Sequence, residues 1–511
     1  MGPTDDRKTR IAQLMARRDL WMLWVGVAMI LLAGAVVLLT RGGDGGGEPV
    51  ADATTSVPTT ESTDDSSADT TTTSEAPREP VVYVSPDGSD TAAGQTADTA
   101  VASLEQAFAV AVPGDEIRLL PGTYPFTQLE GVGGTAEAPI SVTAPDGGVV
   151  FDPQTVDTSD SLSMTSVQFI DFSGFTVRGG IHGTYIKASN NLTFTDMRWE
   201  DVGQEAVQIN EGSTDMLFEN CVIDRTGIRP GDLEGTPYSN YGEGFYLGAD
   251  SGVDPVARVT IRNCEIANTT AEAIDVKPGA FDIVIEGNLV HDITTANSGA
   301  IVAGQVYLAV IPHFDANIII RNNTIWNVTA TSQFQDGNAI NVNTPSLIYN
   351  NVMWNLEHRG ILVESKFENR DATLVRIYNN TIFDAGLVPI EIRQGDNPAD
   401  AQLVNNIGST LDGNIAASAD LFVDAAAGDF RLAEGSAAID AGVEIAEFAE
   451  DRDGTPRPQG GGWDMGAYEA DAALSPTTAA APSTTTVPST TTVPSTTATT
   501  PASTSSSTTS P

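Results

Sequence analysis

Through the middle of the chain apolar and small polar residues recur in a fixed order: an apolar residue, a variable one, then Asn with a second small polar residue, just ahead of the next short β run. The order reads FENC from Phe218, IRNC from Ile261, IEGN from Ile285, IRNN from Ile320, IYNN from Ile348, IYNN from Ile377 and LVNN from Leu403. Its last positions, Cys221, Cys264, Asn288, Asn323, Asn351, Asn380 and Asn406, step by 43, 24, 35, 28, 29 and 26 residues. A second series keeps phase with the first. It reads HGTYIKA, EAVQINE, EGFYLGA, EAIDVKP, GAIVAGQ, NAINVNT, RGILVES and VPIEIRQ from His182, Glu205, Glu243, Glu272, Gly299, Asn338, Arg359 and Val388. The third and fifth residues of each run are apolar or small, the period-2 alternation of a strand with one buried face. Such short strands with Asn/Gly turns predict an all-β fold, a right-handed single-stranded parallel β-helix over 81–470. No coil can bury its apolar face alone, so coils must stack at about 4.8 Å per strand.

The Asn column has a physical role in such a stack. Asn tolerates left-handed backbone at a turn, and its amide can bond to the equivalent residue above and below. Cys221 and Cys264 hold that column in consecutive coils, either as small buried stand-ins for Asn or as an inter-coil disulfide. Two cysteines are too few for a disulfide framework, and their spacing fits neither a zinc site nor a redox pair.

A different pattern opens the chain. Leu20 to Leu39 carries no charge, long enough at about 1.5 Å per residue to cross roughly 30 Å of hydrocarbon. Arg7, Lys8, Arg10, Arg17 and Arg18 precede it, so the positive-inside rule predicts a single-pass anchor over 20–40, with 1–19 cytoplasmic and the β-helix domain extracellular, at the cell membrane. The other reading, a cleaved signal peptide, lacks a clean A-x-A site. Residues 41–80 and 471–511, rich in Gly, Thr, Ser and Pro, bury little and are expected to be a disordered spacer and tail.

Charge narrows the partners. With 68 acidic against 25 basic residues the net charge is -43, which argues against nucleic acid. A monomer is expected, since a solenoid grows by coils.

Stacked in register, the second series places residues in columns on one sheet face. Lys187, Gln208, Asn210, Tyr246 and Asp275 then form a polar and aromatic surface suited to an extended polysaccharide, whose hydroxyls need amide and carboxylate partners and whose ring faces stack on aromatics. Glu205, Glu243 and Glu272 start consecutive coils, so their carboxylates would stack about 5 Å apart, a repulsion that Ca2+ would remove. Lys187 and Lys277, two of four lysines, share another column.

The stretches YVSPDGSD from Tyr83, SLEQAFAVAVPGDEIRLLPGTY from Ser103 and PISVTAPDGG from Pro139 resemble the opening of right-handed β-helix proteins of the pectate-lyase-like superfamily. The resemblance implies a capping helix followed by the first coils. FVDAAAGDFRLAEGSAAID from Phe422 and DRDGTPRPQGGGWDMGAYE from Asp451 resemble the terminal motif of bacterial surface β-helices. EAIDVKPGAFDIVIEGN from Glu272 resembles the alginate lyase and chondroitinase B family. That likeness implies Glu272 as a calcium ligand and Lys277 as the base of a β-elimination on uronate chains. The family's Arg-His-Gly one coil later is replaced by IVAGQ from Ile301. That departure keeps a rival reading, a non-catalytic surface or adhesion scaffold. A glycoside hydrolase would need two carboxylates flanking the scissile bond. Glu243, Glu272 and Asp275 offer such spacings, but no paired-Asp motif of the polygalacturonase type is present.

Overall fold

The computed structural model describes residues 80–230, 241–249, 254–295, 299–304, 316–330, 337–364, 375–393 and 401–474. The apolar stretch 20–39, the spacer before residue 80 and the tail after 474 lie outside the described residues. Among the described residues no helix is long and apolar enough to cross a membrane.

Three parallel sheets of 12, 10 and 10 strands run the length of the described domain. Each coil gives a strand to the second sheet, then the first, then the third, as in Thr184–Lys187, Asn190–Thr195 and Arg198–Glu200. Successive coils pair without offset: Phe172, Phe194, Phe218, Ile261, Ile285, Ile320, Ile348, Ile377 and Leu403 form one column of the first sheet. In-register stacking brings like residues together inside. Phe172, Phe194 and Phe218 stack with centroids 5.1 and 4.7 Å apart, adding to the burial that holds the coils together.

At the N-terminal end the expected capping helix is present as α1, Leu104–Val110. Ser103 Oγ accepts the Gln106 N–H at its start. Leu104, Ala107 and Phe108 face the core, so the helix covers apolar surface that the first coil would otherwise expose.

The Asn column divides its two tasks between neighbouring residues. Left-handed backbone falls on the residue before the ladder: Asn220, Asn263, Asn322, Asn350, Asn379 and Asn405 have φ of 50 to 61°, and Gly287 has 67°. The ladder residue itself points inward and bonds along the stack. Oδ1 of Asn323 accepts from Asn288 N and Nδ2 at 3.0 Å each, and the pattern continues through Asn351, Asn380, Asn406 and Asn414. Each Nδ2 also donates to a core carbonyl, such as that of Ile348 for Asn380.

Cys221 and Cys264 are free thiols in this ladder, so the disulfide alternative fails. The Cys264 N–H donates to Asn288 Oδ1 at 2.9 Å, and the Cys221 N–H to Cys264 Sγ at 3.4 Å. Each thiol is 1% exposed. Iodoacetamide should therefore label both only after unfolding, as read by mass spectrometry without reductant; failure to label the denatured chain would indicate a bridge.

The closing stretch is not further coil. An antiparallel pair, Phe422–Asp424 with Asp429–Leu432, and the irregular chain after it fold back over the last coils. Phe422 and Phe430 pack with Trp354 and Phe383 outside the third sheet, while Ile445, Phe448 and Trp463 pack with Tyr349 and Tyr378 outside the first. Between these two patches the left-handed asparagines serve as anchors. Nδ2 of Asn350 donates to the Glu450 carbonyl, and Nδ2 of Asn379 to those of Asp464 and Gly466. Buried Arg457 holds the segment by bonds to Glu469 and to the Asp464 and Gly466 carbonyls. The outer face of the second sheet takes no part in this packing.

Candidate functional site

The second sheet lays out the predicted columns. Tyr185 pairs with Gln208, Gln208 with Tyr246, Tyr246 with Asp275, Asp275 with Val302, Val302 with Asn341, Asn341 with Leu362 and Leu362 with Glu391. The column of glutamates is fixed by main-chain bonds: Gly183 N donates to the Glu205 carbonyl, Ala206 N to that of Glu243 and Gly244 N to that of Glu272. Inward residues such as Ile209, Leu247 and Val276 lock this order, because a one-residue slip would turn every core side chain outward.

The columns converge on one acidic centre. Carboxylate oxygens of Glu243, Glu272 and Asp275 all lie within 4.8 Å of one another. Lys277, just beyond the strand Ile274–Val276, sets Nζ 2.6 Å from Asp275 Oδ2 and 4.5 Å from the centre of the Tyr246 ring. Glu243 Oε2 accepts the Gly242 N–H at 2.8 Å. These are not solvent-facing turn residues: exposure is 3% for Glu243, 1% for Glu272, 2% for Asp275 and 6% for Lys277. Burial, with Glu205 and Glu272 beside it, pushes the Glu243 carboxyl well above the usual carboxylate range; Lys277 opposes this. Burial raises Glu205 likewise, against the pull of His182.

Glu205 links this centre to a second group one and two coils back. His182 Nε2 lies 3.4 Å from Glu205 Oε2, and its Nδ1 lies 2.7 Å from Asp160 Oδ1. Lys187 Nζ sits 4.1 Å from the centre of the Tyr185 ring. Asn210, with its amide turned so that both ends are satisfied, donates to the Gly248 and Ile209 carbonyls and accepts from Gln208 Nε2 at 3.2 Å. Of the predicted residues, then, Tyr246 and Asp275 join Lys277, Glu243 and Glu272, Glu205 stands outside that trio of carboxylates beside His182, and Lys187, Gln208 and Asn210 form the neighbouring patch.

One residue of the face escaped sequence reasoning. Asp160 is the first-column residue of the coil before His182, since Leu162 pairs with Thr184. Its coil, like that of His182, lacks the Asn turn, and the strand alternation LSMT is the signal that could have found it. Beyond the acidic centre, Asn338, Asn341 and Asn343 are each at most 1% exposed. Arg359 pairs with Glu391, and Arg393 with Glu364 and Glu391.

The donor set suits a hard cation. Calcium takes six to eight oxygen ligands in adaptable geometry; three buried carboxylates in mutual reach, two of them glutamates of adjoining coils, supply oxygen donors and negative charge that a cation would neutralise.

Comparison with known proteins agrees with the architecture. The family described as "Pel9A-like, right handed beta helix region" matches residues 82–225, and "Right handed beta helix region" matches 236–414. Pectate lyase L of Dickeya chrysanthemi is 33% identical over 164 residues, 29% of this chain and 37% of that protein. The chain therefore matches well under half of that relative's length. A solved rhamnogalacturonan lyase superposes with a TM-score of 0.52 at 16% identity, covering 67% of this chain and 90% of that one. The structure of pectate lyase Pel9A covers 76% of this chain and 96% of that one at 19% identity, with a TM-score of 0.47. At 16% identity the rhamnogalacturonan lyase speaks to fold alone. With three sheets of in-register coils and β-helix matches over most of 82–414, the chain is a right-handed parallel β-helix protein of the pectate-lyase-like superfamily.

Proposed function

We propose that the protein binds uronate-containing polysaccharide on the second sheet and cleaves it by β-elimination, with Lys277 as the base. The observation that carries this reading is a lysine placed 2.6 Å from Asp275 beside a cluster of buried carboxylates on an in-register sheet face. Glu243, Glu272 and Asp275 would hold a calcium ion, which supplies positive charge against the uronate carboxylate and so makes its α-proton more acidic.

The chain's own residues then do the following. Tyr246 sets an aromatic ring beside Lys277, suited to positioning a sugar. The Lys277 amine takes the proton from C5 of the uronate; that electron pair becomes the C4=C5 double bond, the C4–O bond breaks, and the leaving oxygen takes a proton from water. A base must present a neutral amine, and a calcium ion on the three carboxylates would offset the negative charge that otherwise favours the ammonium form. The upstream patch of Tyr185, Lys187 and Gln208 extends the surface along the sheet for further sugars.

A second reading has its own support. Asp275 and Lys277 are nearly closed to solvent, which suits a non-catalytic surface scaffold whose acidic centre clamps coils together. The charge asymmetry around residues 20–39 supports a place outside the cell, tethered by that segment, under either reading. Absorbance near 235 nm separates the two. With calcium and pectate, alginate or a mixed uronate polymer, the full chain is expected to produce an unsaturated uronate, and Lys277→Ala to lower the rate about 10²- to 10⁴-fold, the usual contribution of a general base. No rise with any of the polymers would leave the scaffold reading.

A further inference from the structure

Two coils past Asp275 the outer face of the second sheet changes character. The intervening strand, Gly299–Ala303, presents Val302 in the central column and glycine at both edges, Gly299 and Gly304. Side chains of the next coil fill the space those glycines leave. A Cβ on Gly304 would lie 2.9 Å from Thr344 Cβ, and one on Gly299 would lie 3.4 Å from Asn341 Cβ. Asn341 is 1% exposed, yet among the described residues neither its Nδ2 nor its Oδ1 has a hydrogen-bond partner, and Thr344 Oγ1 at 3% exposure has none either. Buried polar groups are nearly always bonded, so an amide with both ends open needs a partner that both donates and accepts.

A hydroxyl meets that need. The local charge points the same way: Arg359 and Arg393 on this part of the sheet are matched by Glu364 and Glu391, leaving a neutral, amide-lined stretch beside a strongly acidic one. Two strand spacings, roughly 9–10 Å, separate Asn341 from Asp275 along the stack. We infer that Asn341 and Thr344 form a subsite for a neutral, hydroxyl-bearing sugar, so that the preferred chain carries uronate at the acidic centre and a neutral sugar farther along the sheet. This rests on the proposed binding of uronate polysaccharide at Glu243, Glu272 and Asp275.

The test uses the full chain carrying Lys277→Ala, so that ligands survive, in calcium, with calorimetry of two tetrasaccharides: one of two uronates joined to two neutral sugars, which puts a neutral sugar two residues from a uronate, the other all uronate. The mixed ligand should bind about tenfold tighter, the scale of one or two well-made hydrogen bonds. Adding Asn341→Leu should bring the ratio to about one while leaving the all-uronate affinity within about twofold. Without sugar, Asn341→Leu should melt no lower than its parent, because an apolar replacement removes two unbonded groups; Thr344→Val offers a milder version of the same change. Equal affinities in the parent, or a preference that survives Asn341→Leu, would overturn the subsite. A lower melting temperature with an unchanged ratio would do so too, assigning the amide to a structural water. Absence of a 235 nm product in the unmutated chain would remove the lyase chemistry and leave a measured preference standing. Equal affinities would remove the subsite and leave the lyase chemistry standing.

Discussion

Calcium is expected to raise the melting temperature at pH 8, and to raise it far less at pH 5. At a concentration about 100-fold above the dissociation constant, binding to the folded chain alone adds about 2.7 kcal/mol. With an unfolding entropy of about 2.1 cal/mol/K per residue, that is about 3 °C for a domain of roughly 390 residues. The pH dependence follows from the carboxyls. In the folded chain burial raises Glu205 and Glu243. An acid held above its unfolded pKa binds more protons when folded, so its favourable contribution is complete at low pH and lost as pH rises through the raised value. Asp464, pushed up to about 7 by burial, adds the same trend from the C-terminal segment. Without calcium the protein should therefore melt higher at pH 5 than at pH 8. The ion needs deprotonated ligands, so protons compete with it and its gain shrinks on acidification. Differential scanning calorimetry with and without chelator reads both effects. Glu243→Gln should abolish the calcium shift while keeping the acid stabilisation from Asp464; an unchanged melting temperature on adding calcium at pH 8 would remove the cation site.

The second large effect belongs to the ladder. Asn380→Ala is expected to destabilise the domain by about 3 kcal/mol or more. Asn380 Oδ1 accepts from Asn351 N and Nδ2, and its own Nδ2 donates to Asn406 Oδ1 and to the Ile348 and Tyr378 carbonyls. All of these groups are buried, and each one stranded costs about 1–3 kcal/mol. Asn380→Cys should recover part of the loss, because Cys221 and Cys264 already serve in the same column. Denaturant unfolding checks this; a loss under about 1 kcal/mol would mean that water replaces the amide without strain.

Much of the site was legible because coils stack without offset. Once the Asn turns fixed the phase, distant residues could be read as neighbours: Glu243 and Glu272 do meet, but the third carboxylate in mutual reach is Asp275 and not the expected Glu205. Where the turn loses its Asn, the phase must come from the strand of the second sheet alone. The column runs back through Met197 and Phe175, as the pairings of Arg198 with Thr176 and Val222 require, and an apolar ladder position looks like any core residue. The coil of His182, which turns at Asp196–Met197, was read from its HGTYIKA run alone, whereas Asp160, whose coil turns at Gly174–Phe175, was missed. The depth of the acidic centre was not legible either, since alternation tells which face a residue takes and not what covers that face. The folding back of 422–470 escaped as well, because its aromatic residues have no period.

The turn between the first and third sheets has one further consequence. It is two residues long in every coil from Asp196–Met197 to Asn379–Asn380, while the stretches that lead into and out of the second sheet vary from a few residues to about twenty. All freedom in coil length is thus confined to the borders of the face that carries Lys277 and Asn341. Insertions there leave the stacking phase of every other coil intact, whereas one extra residue at the short turn would misalign all that follows. A scaffold divided in this way can acquire new ligand preferences by exchanging border segments, and its recognition surface can diversify while its spine stays the same.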